Sequence, residues 1–246
     1  MRLLAFDTAT PATTVALAVG PDDVREARDD PPGGIRPRHT SELLPLAVSL
    51  LAAGGIGWSE LDRVAVGVGP GTFTGLRIGL ASARALAGAL AVPLVGVSTA
   101  ASLALGAWDE ARARGCEHVA AVIDARRGEV FAAVWPMAQP GVDPAAYVAH
   151  PASAVFSPRA MTPIDLADVL AELGPGALAA GDGALAFRGV LQRSGAVIAD
   201  DDAAVNRVSA RYHCRLAAHL PDSAPGDVRP DYLRAPDAQL PRPVTP

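Results

Sequence analysis

The 246 residues suit one large domain or two small lobes sharing a core. Half are hydrophobic but only 4% are aromatic, so the interior has to be filled by alanine, valine and leucine. A formal charge of −5 leaves no chain-wide basic field, and any contact with RNA has to be local or made through a partner.

In chain order, 3–6 is an apolar run ending in Asp7, followed by a threonine-rich turn and a second β-rich run over 13–19; this reads as a hairpin. A third strand near 24–28 precedes a Pro/Gly-rich loop. A helix capped by Thr40 or Ser41 then runs to about Ala53, where Gly54 and Gly55 stop it. The run 62–68 reads as a buried strand, and the turn GPGTFTG opens a long helix ending near Ala91. The 24 residues from 85 to 108 carry no charge, which is long enough for a membrane span. Pro93 and the small polar residues around it favour helix, buried strand, helix instead, and no membrane segment is expected. Met1 and Arg2 lead straight into the first strand, so no leader is expected, and the isolated Cys116 and Cys214 fit a reducing cytoplasm.

The opening then recurs. His118 to Ile123 is apolar, ends in Asp124, turns through ARRG and returns over 129–135, so LLAFDTATPATTVALAV and AAVIDARRGEVFAAVW share one design. The simplest account is two lobes of similar build, each opening with a β-hairpin. Beyond them, 136–157 reads as an irregular insertion, 164–173 as helix, 177–180 as strand, 184–193 as helix and 203–220 as the last helix. The final 26 residues hold seven prolines and read as an extended tail. The lobes are thus expected at 1–106 and 107–220, with the tail at 221–246.

Asp7 and Asp124 stand at the carboxyl ends of strands, where α/β sheets place ligands. Such a pair can hold Mg²⁺ and a phosphate, or can simply start turns. The glycines of GPGTFTGLR allow close backbone approach and the helix start offers free N–H groups, but no lysine follows as in a P-loop. Asp7, Thr8, Gly71, Thr72, Asp124 and Arg126 are therefore the candidate phosphate or nucleotide site, with weak nucleotide binding left open; Thr72 also reads as a plain helix cap. The histidines show no HxxxH or HExxH spacing, and no GxSxG elbow is present, so no catalytic residue, metal ligand or cofactor is assigned.

The segments MRLLAFDTAT, RHTSELLP, GVGPGTFTGLRIGLA, PLVGVSTAASLALGAW, AAVIDARRGEVF and RPDYLRAP occur in that order. Together they resemble the TsaB (YeaZ) family of tRNA threonylcarbamoyladenosine biosynthesis. The resemblance is dense over the first 135 residues and thin over 136–225. It implies an α/β fold of the actin, hexokinase and heat-shock-ATPase (ASKHA) type in two lobes. It also implies a cytoplasmic, non-catalytic subunit that binds and activates a TsaD-like catalytic relative. A TsaE-like ATPase joins them, tRNA is met mainly through the complex, and the chain self-pairs when alone. Where that relative holds metal with an HxxxH pair, this chain has Thr99 and Leu103. The competing readings are an ASKHA-type small-molecule kinase and a glycoprotease-type peptidase.

Two helices are the candidate partner surface. On 41–53, Leu43, Leu46, Ala47 and Leu50, with Leu44, Val48 and Leu51, fill an arc of about 200°, wider than one sheet face requires. On 73–91, Gly75, Gly79, Ala83 and Ala87 make a small-residue ridge suited either to a partner helix or to the chain's own sheet. In the implied family these helices form the bundle with the catalytic relative.

Overall fold

The computed structural model describes residues 1–20, 23–174 and 176–234. Its first lobe contains β1 (Leu3–Asp7), β2 (Thr13–Ala18), β3 (Val24–Asp29), α1 (His39–Gly54), β4 (Arg63–Gly69), α2 (Phe73–Leu90), β5 (Leu94–Ser98) and α3 (Thr99–Ala113). The sheet order is β3-β2-β1-β4-β5, antiparallel across β3, β2 and β1 and parallel across β1, β4 and β5. Every residue of β1 is buried because both faces are covered. Leu4 and Phe6 point to α1 and α2, while Leu3 and Ala5 point to the centre of the molecule. Truncating the fully buried Phe6 to alanine costs about 3–5 kcal/mol on that basis.

The second lobe contains β6 (His118–Arg126), β7 (Glu129–Pro136), α4 (Pro144–Ala149), β8 (Phe156–Met161), α5 (Pro163–Glu172), β9 (Ala177–Ala180), α6 (Asp182–Ala186), α7 (Arg188–Leu191), β10 (Val197–Ile198) and α8 (Ala210–Ala217). Its sheet order is β10-β9-β6-β7-β8, with β6, β7 and β8 antiparallel and β6, β9 and β10 parallel. Strand for strand this repeats the first sheet, so the chain has the duplicated α/β architecture of the actin-like fold.

Several boundaries differ from expectation. α1 begins at His39 with Arg38 at its cap and no side-chain cap bond, so neither Thr40 nor Ser41 caps it. The stretch 136–157 is not irregular: Asp143 caps α4 through the Ala145 N–H, and β8 starts at Phe156 as an edge strand, where Pro158 is tolerated. The expected helix over 184–193 is broken at Phe187. That over 203–220 is a 3₁₀ turn (Ala204–Asn206) followed by the shorter α8.

Three apolar layers result. One lies under α1 and α2 and one under α5 and α7. The third lies between the sheets and is filled from α3, α4, α8 and both inward sheet faces. α8 comes late in the chain yet packs on β1 and β2, and α3 packs on β6, so the lobes share a core. The tail is not loose up to Arg234. Asp222 pairs with the buried Arg63, Ser223 exchanges backbone bonds with Leu94 (3.1 and 3.0 Å), and the Asp231 N–H donates to Val68 O (2.7 Å). Three residues later Arg234 donates to Ala125 O (3.0 Å) and pairs with Glu129, which fastens the tail to the other lobe. The rest of the tail, 235–246, lies outside the described residues.

Candidate functional site

β1 delivers Asp7 to the centre of the molecule, 1% exposed. One carboxylate oxygen accepts from the Ala9 N–H (2.6 Å), and the other accepts from Thr99 Oγ1 (2.7 Å) and His213 Nε2 (2.9 Å). The opposite side is closed by β4, where a Cβ at Gly67 would overlap the carboxylate. His213 comes from α8 and is fully buried, with Nδ1 2.8 Å from Ser102 Oγ; that hydroxyl also lies 3.0 Å from Ser209 O. Thr99 sits at the start of α3 and donates inward, while Leu103 packs into the central core.

Ser102, His213 and Asp7 thus form a hydrogen-bonded Ser–His–Asp line, which sequence spacing could not reveal because its members lie on three separate elements. Exposures of 0, 0 and 1% mean that no substrate reaches the hydroxyl. Geometry suited to a nucleophile needs an approach path as well as a base. This line serves instead to satisfy polar groups where α3 and α8 meet the first sheet.

The GPGTFTG turn is closed by the chain itself. Thr72 caps α2 by accepting from the Gly75 N–H (3.3 Å), and the Thr72 N–H donates to Ala9 O (2.7 Å). Thr8 Oγ1 donates to Gly75 O (2.7 Å), and side chains at Gly71, Gly75 or Gly79 would collide with Thr8 or Ala9. These glycines let α2 lie against the β1–β2 turn. Asp7, Thr8, Gly71 and Thr72 do come together, but packed against one another. Asp124 stands in the other lobe, half-buried, its carboxylate taken by Arg126 N–H (2.8 Å) and guanidinium (3.0 Å).

An open cleft of about 240 Å³ is walled by Thr10, Arg28, Asp30, Asp182, Asn206 and Arg207. Its volume is below the roughly 300–1,000 Å³ of small-molecule sites. Arg28 is committed to Asp30 (2.6 and 2.8 Å) and to Val208 O (3.2 Å). Burial pushes the Asp182 carboxyl above the ordinary range, the Asp124 N–H bond to it (3.0 Å) pulls it back, and the Asp124 carboxylate raises it again. Neither Asp182 nor Asn206 is among the site residues read from the sequence. Among the described residues no three His, Cys, Asp or Glu side chains converge on a metal position, and no helix is long and apolar enough to cross a membrane.

The helix faces also sort clearly. Leu43, Ala47, Leu50, Gly75, Gly79, Ala83 and Ala87 are buried against the chain's own sheet, and Leu46 is half-buried. The small-residue ridge is therefore internal packing, and what α1 turns outward is Leu44 (47% exposed), Pro45 and Val48 (52%). Beside it α2 shows Ala81, Ala85 and Ala89.

Residues 24–150 match the family described as TsaD: tRNA N6-adenosine threonylcarbamoyltransferase. The tRNA threonylcarbamoyladenosine biosynthesis protein TsaB of Escherichia coli (strain K12) is 41% identical over 143 residues, 58% of either chain. Its Haemophilus influenzae namesake is 36% identical over 131 residues, 53% of this chain and 52% of that one. The matched region spans a little over half the length of these relatives. Among solved structures, a Pseudomonas aeruginosa protein described as similar to peptidase YEAZ superposes with a TM-score of 0.74 at 30% identity, covering 95% of this chain and 99% of that one. YeaZ from Pseudomonas aeruginosa gives 0.72 at 28% identity, over 94% and 99%. On the family match, the sequence relatives and a common fold over nearly the whole chain, this protein belongs to the TsaB/YeaZ branch of the TsaD family.

Proposed function

We propose that this chain is the non-catalytic partner subunit of a tRNA threonylcarbamoyladenosine system in the cytoplasm. It binds and activates a TsaD-like catalytic subunit, works beside a TsaE-like ATPase, and self-pairs when that subunit is missing. The observation that carries the non-catalytic part is Asp7. The carboxylate best placed for a metal or phosphate has three donors of its own chain on it and is shut from solvent. A kinase needs that carboxylate open, and the cleft at Thr10 and Asp182 is small, with Arg28 paired with Asp30. The peptidase reading loses its support in the burial of Ser102.

The partner role is supported by the relatives' biosynthetic names and by the outward strip of Leu44, Pro45 and Val48 beside the alanines of α2. Apolar surface collected on two adjacent helices suits a helical partner, and small residues allow close approach. Val48→Glu and Ala85→Glu place a charge in that strip without touching the core. Size-exclusion chromatography with light scattering should show the wild-type chain forming a heterodimer with its catalytic relative and both variants folded but monomeric. Heterodimers from both variants would put the interface elsewhere.

A further inference from the structure

The described part of the tail ends by crossing from the first lobe to the second. Asp231 is held at β4, with its N–H on Val68 O (2.7 Å) and its own carbonyl so close to Gly69 that a Cβ there would stand 3.0 Å away. Tyr232 lies on the start of α2, where its ring is 5.2 Å from that of Phe73 and its hydroxyl accepts from Arg77 Nε (3.3 Å). Leu233 packs against the core between the sheets. Arg234 then reaches the second lobe, donating to Ala125 O (3.0 Å), pairing with Glu129 and lying over the Phe131 ring (5.9 Å). At most about 10 Å of chain separates the first of these anchors from the last. A segment that short has little slack, so a shift at one anchor has to be taken up at the other.

The far anchor falls where the second sheet is easiest to open. The β6–β7 register shifts between Asp124 and Arg126, and in the turn Arg126 (φ 63°) and Arg127 (φ 57°) take the left-handed conformation. A strained turn beside a bulge opens more readily than the ladder behind it. Arg234 holds both of its sides, Ala125 on β6 and Glu129 on β7. The near anchor is at the surface. Phe73, Arg77 and Tyr232 are all exposed, and Arg77 continues the outward row of Ala81 and Ala85 along α2.

We infer that residues 231–234 are a strap that couples the exposed start of α2 to the β6–β7 turn of the second lobe. Seated on Phe73 and Arg77, the strap keeps the turn closed through Arg234; unseated, it lets the turn open. A protein lying along the outward row of α2 meets Tyr232, so docking on the first lobe changes the order of the second. That last step rests on the partner role proposed above, whereas the coupling belongs to the chain alone.

Hydrogen exchange of the full chain, read by mass spectrometry on peptides covering 124–131, tests the coupling with no partner present. Arg234→Gln removes the far anchor, Glu129→Gln releases the same anchor from the second lobe, and Tyr232→Ala removes the seat on α2. Each should speed exchange over 124–131 by about three- to tenfold, the range for losing a partly exposed contact to a charged group. Tyr232→Phe keeps the ring contact and should stay nearer the wild type. Arg234→Gln combined with Tyr232→Ala should exchange no faster than Arg234→Gln alone, because one strap is released only once. Unchanged exchange over β1 shows that the fold is intact. Wild-type exchange over 124–131 in Arg234→Gln would overturn the inference. So would a response to Arg234→Gln with none to Tyr232→Ala, since Arg234 would then brace the turn locally. A chain that shows this coupling yet never pairs with a catalytic relative would lose the partner role and keep the strap.

Discussion

Replacing His213 by alanine takes one donor from the buried Asp7 carboxyl and leaves a ring-sized void between α8 and β1. Of the three bonds to Asp7, those from Ala9 N–H and Thr99 Oγ1 remain. Both partners are essentially inaccessible to water, so no solvent replaces the lost donor. Removing one member of a buried polar pair costs about 3–5 kcal/mol. For a chain of this length each kcal/mol lowers the melting midpoint by about 2–4 °C, so a fall of roughly 6–20 °C is expected. Thr99→Val keeps the shape and removes one bond to the carboxyl, which costs about 1.5–3 kcal/mol. Urea unfolding followed by tryptophan fluorescence, to which Trp108 and Trp135 of the same central core contribute, reads both changes. Combining His213→Ala with Asp7→Asn should cost clearly less than the sum of the single changes, because the second no longer strands a carboxylate. A loss below about 1 kcal/mol for His213→Ala, or strict additivity of the pair, would refute the argument that this cluster is a structural unit.

Other consequences are equally direct. His39 is buried against Thr13 Oγ1 (2.9 Å), and burial pulls its pKa below the ordinary value despite the opposing Asp7 and Asp29 carboxylates. The unfolded chain therefore binds the extra proton first. Stability should be full above the unfolded histidine value of about 6.5 and fall as pH drops below it, and His39→Gln should flatten that slope in urea titrations across the range. Gly75→Ala would drive a methyl group into the Thr8 carbonyl, so α2 must shift; a loss of at least about 1–3 kcal/mol is expected by thermal denaturation, and a neutral effect would contradict the packing. Burial pushes the Cys214 thiol up to about 12, so native protein at pH 8 should resist thiol-labelling reagents at this position until urea unfolds it.

How much of this was readable beforehand depends on the kind of signal. β1 and β4 are apolar runs ending in Asp7 and Gly69, and such runs carry their own ends. β8 was missed because FSPRAM contains a proline and an arginine and lacks a strand pattern. Its place is nonetheless implied by the repeat, since β3 occupies the corresponding edge of the first sheet. The width of the apolar arc on α1 was legible, but not its division. Leu43, Ala47 and Leu50 cover the sheet and Leu44 and Val48 do not, and only the orientation of the helix decides which. The Asp7 cluster joins residues up to 206 positions apart, so no local pattern could announce it, although Asp7 itself stood out at its strand end. The tail's anchors to Val68 and Ala125 follow from the shape of the lobes and have no local sequence signal.

The central claim is that this chain acts through its surface and not through Asp7, and a reconstituted transfer assay tests it most directly. Threonylcarbamoyl transfer to tRNA would be measured with the TsaD-like and TsaE-like proteins of the same organism and with the wild-type chain, Val48→Glu, or Asp7→Asn at a temperature where each is folded. The account predicts transfer with the wild type, loss with Val48→Glu, and near wild-type transfer with Asp7→Asn so long as it still pairs. A folded Asp7→Asn protein that pairs normally and yet abolishes transfer would contradict the account, because the buried carboxylate would then be part of the chemistry.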